Sequence, residues 1–496
     1  MSKSIMLNED NSHYFFTRGD PATMEQDLHH WIEQYADTQI RDMIINVNAM
    51  KTNYGSDVWE SMWAGFDPSQ GEDQPLFASS PPAERKVAFH WVRSAWQLHH
   101  AGIDIYAEWI VRSRELGMSP VISLRMNDVH NVQDERNYIH NTLWRTRPDL
   151  RRIQHRFLKW SDKAFDYGQQ EVRDYHLALV REVVDRYDLD GLELDWMRFG
   201  YHFRPGYEDE GALLLTQFIA DVRKLLDERG EQLGRRIRLS ARVPARPDAA
   251  LALGMDAVEW ARRGLIDQLI ITPFWETLDT DMPIELWKQL LADRPVLLAA
   301  GLELQLRAHP QSELRQKNSL ETVRGAAMSM LSRGADVIYL FNYMDSLTSP
   351  DPDYPVILRE AGSLDTLRGK ARRHVATYAD TWAPGMAQAT MLPLHGGAGD
   401  WRGLRIHIGE RPGQETAAVL LAFENVETLD GSDLQVWVNG CLCTFDGGAE
   451  PMQPCAERPL FRWIIPHAAL KDGYHYIEWC CNRELTAIWA EINLTP

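Results

Sequence analysis

Cysteine is nearly missing from this chain. The five present, Cys441, Cys443, Cys455, Cys480 and Cys481, all follow residue 440 and show no Cys-x-x-Cys spacing. That excludes a disulfide framework or a cysteine-based zinc site as the basis of the fold, and free buried thiols are expected. Long apolar runs are missing too: no window approaches the ~18 continuous apolar residues that a membrane helix needs. The opening residues MSKSIMLNEDNSHYF lack a basic patch followed by an apolar stretch, so no secretory signal is read there and a soluble, cytoplasmic protein is expected. Basic charge is in deficit, with 52 Lys and Arg against 71 Asp and Glu and a formal charge of -19. Such a surface repels polyphosphate and anionic membranes, so neither nucleic acid nor membrane is an expected partner. No Gly-x-Gly-x-x-Gly follows the first strand-like run, and P-loop and Gly-x-Ser-x-Gly signatures are missing, which removes dinucleotide, nucleotide-hydrolase and α/β-hydrolase sites. No His-x-His or His-Glu-x-x-His spacing occurs, and no metal or other cofactor is expected.

What is present is a large globular chain of 496 residues, 44% hydrophobic, with 18 Trp. Most of these Trp belong in a core, although Trp is also the residue on which sugars stack. Eight strand-like runs span residues 41–48, 121–127, 163–168, 189–197, 236–244, 267–275, 295–304 and 335–344. Amphipathic stretches such as 171–187 and 213–230 lie between them, with apolar residues at three- and four-residue spacing. Eight strand–helix repeats predict an α/β chain built on a (β/α)₈ barrel. After residue 370 strand-like pieces alternate with Gly, Pro and Asp turns, and convincing helices disappear. An all-β, jelly-roll-like C-terminal sandwich is expected there, giving a barrel over 1–375 and a sandwich over 376–496. In the sandwich, alternation turns Trp437 and Trp479 toward the core. The long segments 53–85 and 128–152 are expected to fold over the barrel mouth.

The fourth run, DGLELDWM, carries the strongest chemical signal. With a side-chain period of two, Leu192 and Leu194 face the helices while Glu193 and Asp195 point into the barrel, Asp195 near the strand end where catalytic groups of this fold emerge. Carboxylates in a partly desolvated interior are costly unless paired or given a chemical task. A buried acid–arginine network, with Arg198 as one partner, is the purely structural alternative.

At these residues the chain resembles family 18 chitinases and related bacterial glycosidase barrels, which carry Asp-Gly-x-Asp-x-Asp-x-Glu at the end of strand four. Here the run is Asp190-Gly191-Leu192-Glu193-Leu194-Asp195-Trp196-Met197. The similarity covers about residues 160–205. It departs where a chitinase has its proton-donating Glu, because this chain has Met197, so that mechanism does not carry over. The resemblance implies a sugar-cleaving barrel with Glu193 and Asp195 near the reacting centre.

Glycosidic cleavage needs two carboxyl groups flanking the bond. Asp195 is the first candidate, and its partner is Glu276 after the sixth run or Glu303 at the end of the seventh. Around them the strand ends supply Asn48, Arg125, Asn127, Asp128, His130, Trp196, Arg198, Arg242, Trp275, Asn342 and Tyr343, a polar and aromatic rim able to bind an oligosaccharide. The arginines suit a carboxylate or sulfate on uronic, sialic or sulfated sugars, or else neutralise the acids. The reading is a hydrolase of O-glycosidic bonds acting through two carboxylates, with self-association of the chain left open. Open alternatives at the same rim are a non-catalytic glycan-binding barrel, a sugar-acid lyase or aldolase, and a metal-assisted hydrolase.

Overall fold

The computed structural model describes residues 4–17, 21–343, 352–424, 426–431, 433–449 and 458–496. Eight parallel strands close into a barrel: β1 (Ile5–Asp10), β2 (Ile40–Asn46), β3 (Ser119–Arg125), β4 (Gly191–Asp195), β5 (Arg238–Pro244), β6 (Gln268–Thr272), β7 (Leu297–Glu303) and β8 (Val337–Phe341). Their order around the wall is β1-β8-β7-β6-β5-β4-β3-β2. The expected helices are present as Gln170–Arg186 and Glu208–Leu233.

Two errors in the strand count cancel. The run 163–168 is no strand; Trp160–Lys163 is a 3-10 turn, and Asn127 holds the following loop through Phe165 N at 2.9 Å and Phe165 O at 2.9 Å. The true first strand, IMLNED, precedes every predicted run and is short and acidic at its end. Its parity still fits a barrel. Asn8 reaches across the interior to Glu193, while Glu9 turns outward to accept from Tyr35 at 2.9 Å. The eighth run was expected to reach Met344, which lies outside the described residues, as does Cys455.

Period two sorts the side chains into two cores. Met6, Ile44, Val121, Ile270, Ala299, Val337, Tyr339 and Phe341 fill the barrel interior. Leu7, Ile45, Ile122, Leu192, Leu194 and Leu302 join the larger core between strands and helices. Each such buried aliphatic side chain stabilises the fold by about 1.5–3 kcal/mol. Caps set helix starts: Asp104 accepts from Tyr106 N and Ala107 N, and Ser319 from Thr322 N, each worth about 1 kcal/mol. Segment 53–81 builds an apolar cluster of its own, with Met62 and Phe77 packed on Ala88 and Val92 of the helix Pro82–His100.

Beyond the barrel come antiparallel sheets. One has the order β9 (Arg372–Val375), β18 (Leu485–Thr495), β12 (Thr416–Phe423), β16 (Leu460–Ile464), β15 (Thr444–Ala449), with β10 (Leu394–Gly396) also on β18. The other runs β11 (Trp401–His407), β17 (Tyr474–Cys481), β13 (Leu434–Val438), β14 (Cys441–Leu442). Strand β18, on which the first sheet is built, lies beyond the strand-like pieces that the sequence shows at 398–409, 416–426, 433–440, 460–466 and 475–482. Trp479 is buried as expected, but Trp437 is half-buried on the outer face of β13, its ring 6.4 Å from the exposed Trp401. Of the cysteines, Cys441, Cys443, Cys480 and Cys481 are free thiols, and only Cys443 and Cys481 are buried. No described helix is long and apolar enough to cross a membrane.

The helix Leu320–Ser332 packs directly on β9. A Cβ added at Gly325 would lie 2.1 Å from the carbonyl oxygen of Arg373, so only glycine permits this approach. Gly325→Ala is expected to destabilise the protein by about 1–3 kcal/mol through overpacking. A thermal or urea melt checks it, and an unchanged midpoint would mean that the two backbones are free to separate.

Candidate active site

The catalytic end of a parallel barrel is where its strands finish. Here the ends of β1, β3 and β4 are joined by a relay of charged groups. Arg125 Nη2 donates to Asp10 at 2.5 Å, and its Nη1 lies 3.6 Å from Asp128. Asp128 pairs with His130 Nδ1 at 2.8 Å, and Arg198 Nη2 meets His130 Nε2 at 3.1 Å. A guanidinium only donates, so Nε2 accepts and the ring proton sits on Nδ1, facing Asp128. Burial alone would raise the Asp128 carboxyl, but His130 and the guanidiniums of Arg125 and Arg198 hold it well below the usual carboxylate range.

Deeper in the barrel lie the two acids of the β4 motif. Asp195 accepts from the backbone N–H groups of Met197 at 2.9 Å and Arg198 at 2.8 Å, and from Arg242 Nη1 at 3.0 and 3.1 Å. Arg242 is fully buried, its guanidinium stacked 3.5 Å from the Phe341 ring. Glu193 accepts from Asn8 at 3.1 Å, Ser123 at 2.6 Å and Tyr339 at 3.2 Å. Burial, with the Asp195 charge beside it, pushes Glu193 up to about 7. The alternation places both acids inside; Asp195 is bound on both oxygens, while Oε2 of Glu193 is buried without a hydrogen-bond partner among the described residues.

Above them opens a cavity of about 600 Å³ whose wall includes Asp10, Arg198, Trp275, Glu303, Arg315 and Asn342. Glu303 ends β7 and is 1% exposed. Asn342, in the left-handed conformation at φ 62°, turns its amide onto both Glu303 oxygens at 3.0 and 3.1 Å. Burial pushes Glu303 up to about 8, with Asn342 and Arg242 opposing only part of that rise. Arg198 is pushed down to about 10 by burial and by Arg125 beside it. Among the described residues no carboxylate lies within 4 Å of the Arg198 guanidinium, whose Nε also lacks a hydrogen-bond partner. Trp275 is 40% exposed, and Arg315 lies 5.3 Å from the centre of its ring. A protonated acid, a cation in want of an anion and an open indole face thus share one wall.

No family model and no curated protein matches this chain. Solved structures do, at low identity. The PgaB (BpsB) glycoside hydrolase domain of Bordetella bronchiseptica is 12% identical, with 73% of this chain and 99% of that one covered at a TM-score of 0.41. A glycoside hydrolase family 18 N-acetylglucosaminidase of Paenibacillus barengoltzii is 10% identical, with 74% and 99% covered at 0.37. TtGalA, an α-galactosidase of Thermus thermophilus, is 14% identical, with 75% and 63% covered at 0.35. Of two further galactosidase structures the chain spans 55% and 56%, little more than half. Likenesses this distant carry no weight on chemistry, which rests on the residues themselves.

The remaining rim residues divide by surroundings. Glu276 is off the cavity wall, bound to Tyr378 at 2.9 Å and Arg307 at 3.3 Å. Asn48 stitches β2 to β3 through Arg125 N and O, both at 3.0 Å, and Asn127 holds the 165 loop and Tyr201. Trp196 is fully buried among Tyr167, His202 and Phe218. Tyr343 is buried, its hydroxyl beside the backbone oxygen of Glu303. Asp10, Arg315 and Asp380 were not anticipated. Asp380 accepts from Phe274 N, Trp275 N and Glu276 N at 2.8, 3.0 and 2.9 Å, ordering the loop that carries Trp275. Among the described residues no three His, Cys, Asp or Glu side chains converge as metal ligands.

Asp195→Asn would leave Arg242 buried without a counter-charge. The expected loss is about 3–5 kcal/mol of stability, read as a lower chemical-denaturation midpoint; a variant as stable as the parent would show that Arg242 finds another anion.

Proposed function

We propose that this chain is a glycoside hydrolase whose cavity at the barrel rim takes oligosaccharides carrying acidic sugars. The observation that carries the reading is Glu303: a carboxyl group almost without exposure, yet on the wall of an open cavity, whose side chain is hydrogen-bonded among the described residues by the Asn342 amide while burial favours its protonated form. A carboxylic acid kept neutral near pH 7 is what protonates a glycosidic oxygen as it leaves. Trp275 offers the apolar face on which a pyranose ring stacks, and Asn342 a donor beside it. Arg198, buried and with no carboxylate within 4 Å among the described residues, and Arg315 on the same cavity wall support a carboxylate or sulfate on the bound sugar. Asp195 then acts from below, holding Arg242 and the backbone turn that aims Arg198, while Glu276 takes no part in the reaction.

The test is hydrolysis of 4-nitrophenyl glycosides and oligosaccharides bearing neutral, uronic and sulfated sugars, by the parent and Glu303→Gln. Loss of about 10²–10⁴-fold in kcat is expected for the variant, largest for poor leaving groups and smallest for 2,4-dinitrophenyl glycosides, whose departure needs no proton. The parent's kcat/KM should fall as pH rises through about 8, because Glu303 loses the proton it must donate, and the variant should lack that basic limb. Arg315→Ala should weaken acidic substrates more than neutral ones. Full activity of Glu303→Gln on substrates with poor leaving groups would overturn the assignment.

A further inference from the structure

The cavity wall holds a second acid from a strand that no motif marks. We propose that Asp10 of β1 is the other catalytic carboxyl, the base that activates the attacking water while Glu303 protonates the leaving oxygen, and that the reaction inverts the anomeric carbon. This deepens the glycosidase reading and rests on it.

Three observations converge on Asp10. Parity is the first: Asn8 points inward to Glu193, so Asp10, two residues on, faces the same way at the strand end. Second, it shares the cavity with Glu303, whereas Glu193 and Asp195 are buried beneath it and Glu276 stands outside it. The third is its setting. Arg125 clamps Asp10 on one side, and Asp128 holds Arg125 in turn, so the carboxylate is oriented on the cavity wall. Asp10 is faced by Arg125 and Arg198, with Asp128 and His130 behind them; Glu303 is faced by Arg198 and Arg242, with Asp380 further off. Two carboxyls whose bonded partners differ this way, Asp10 on a guanidinium and Glu303 on a neutral amide, divide into base and acid.

The topology supplies the separation. Strands β1 and β7 both pair with β8, Leu7 and Leu302 standing level across Leu340, so Glu303 is one residue above that level and Asp10 three. With strands about 4.8 Å apart and a rise of about 3.3 Å per residue, the two backbones are roughly 12 Å apart. Both side chains turn inward, which shortens the gap toward the roughly 6.5–9.5 Å of an inverting pair, not the roughly 5 Å of a retaining one. A separation of that size admits a water between the two groups. In the step itself Asp10 accepts one proton from that water, the water oxygen bonds to the anomeric carbon, the bond from that carbon to the leaving oxygen breaks, and Glu303 gives its proton to that oxygen. Asp10 ends protonated and Glu303 ionised, and proton exchange with solvent restores both.

The experiment follows, by proton NMR, the first anomer released from 4-nitrophenyl uronides and neutral glycosides, and adds kinetics of Asp10→Asn and Asp10→Glu. Inversion is expected in the parent. Asp10→Asn should lose about 10²–10⁴-fold in kcat and the acidic limb of its kcat/KM profile while keeping the basic limb, and Asp10→Glu should restore part of the rate. Retained configuration overturns the assignment, as does Asp10→Asn activity within about threefold of the parent, and in both cases an inactive Glu303→Gln leaves the hydrolase reading standing. Failure of the parent to cleave any of these glycosides overturns that reading and this assignment together. Asp10→Asn strips Arg125 of a partner, so its melt is recorded; where it does not fold, the stereochemistry of the parent's product decides.

Discussion

The ion pair between Asp195 and Arg242 is the constraint on which the rim depends. Two opposite charges are enclosed in the barrel, and neither is tolerable there without the other. The pair also fixes geometry. The same Asp195 oxygen that meets Arg242 accepts the backbone N–H groups of Met197 and Arg198, which turns the chain at the end of β4 and aims Arg198 at the cavity. Arg198 in turn meets His130, which meets Asp128, which steadies Arg125 and Asp10. One buried charge pair thus anchors a chain of contacts across three strand ends. Glu193 lies outside that chain, tied instead to Asn8, Ser123 and Tyr339 from three other strands, and braces the interior one layer down.

The barrel was legible because its pattern repeats: short β-rich runs alternating with amphipathic helices. Where the sequence misled, a physical reason is at hand. The 163–168 run alternates apolar residues because Phe165 and Tyr167 pack into a loop beneath the strand ends, a burial pattern that needs no ladder. Strand β1 offers only three apolar residues before Asn-Glu-Asp, and its stability comes from two parallel neighbours far along the chain, which local propensity cannot register. Strand β18 escaped in the same way: its partners include β9, more than a hundred residues earlier, and β12.

The site was legible in part. Side-chain parity read correctly that Glu193 and Asp195 face inward, and nothing in parity tells how high in the barrel a group sits or whether its neighbours already surround it. Glu303, Arg198, Trp275 and Asn342 were in the predicted set and meet around one cavity. Trp196 shows the limit: next to Asp195 in sequence, it falls on the opposite face and packs against helices. Asp10 could have been found only by recognising β1, and Arg315 carries no signal, since it reaches the cavity from an irregular stretch beyond β7.

Asp380 lies downstream of β9, in the segment entering the antiparallel sheets, yet its carboxylate gathers three consecutive amides of the loop that presents Trp275. The aromatic wall of the cavity is therefore ordered by a part of the chain that belongs to no barrel strand or helix. A shortened protein ending at the last barrel helix would keep the strands and lose the anion under that loop. Selection on that aromatic wall thus extends into sequence that looks, on topology alone, like an appendage, and grafting this barrel onto another C-terminal module would have to carry that aspartate along.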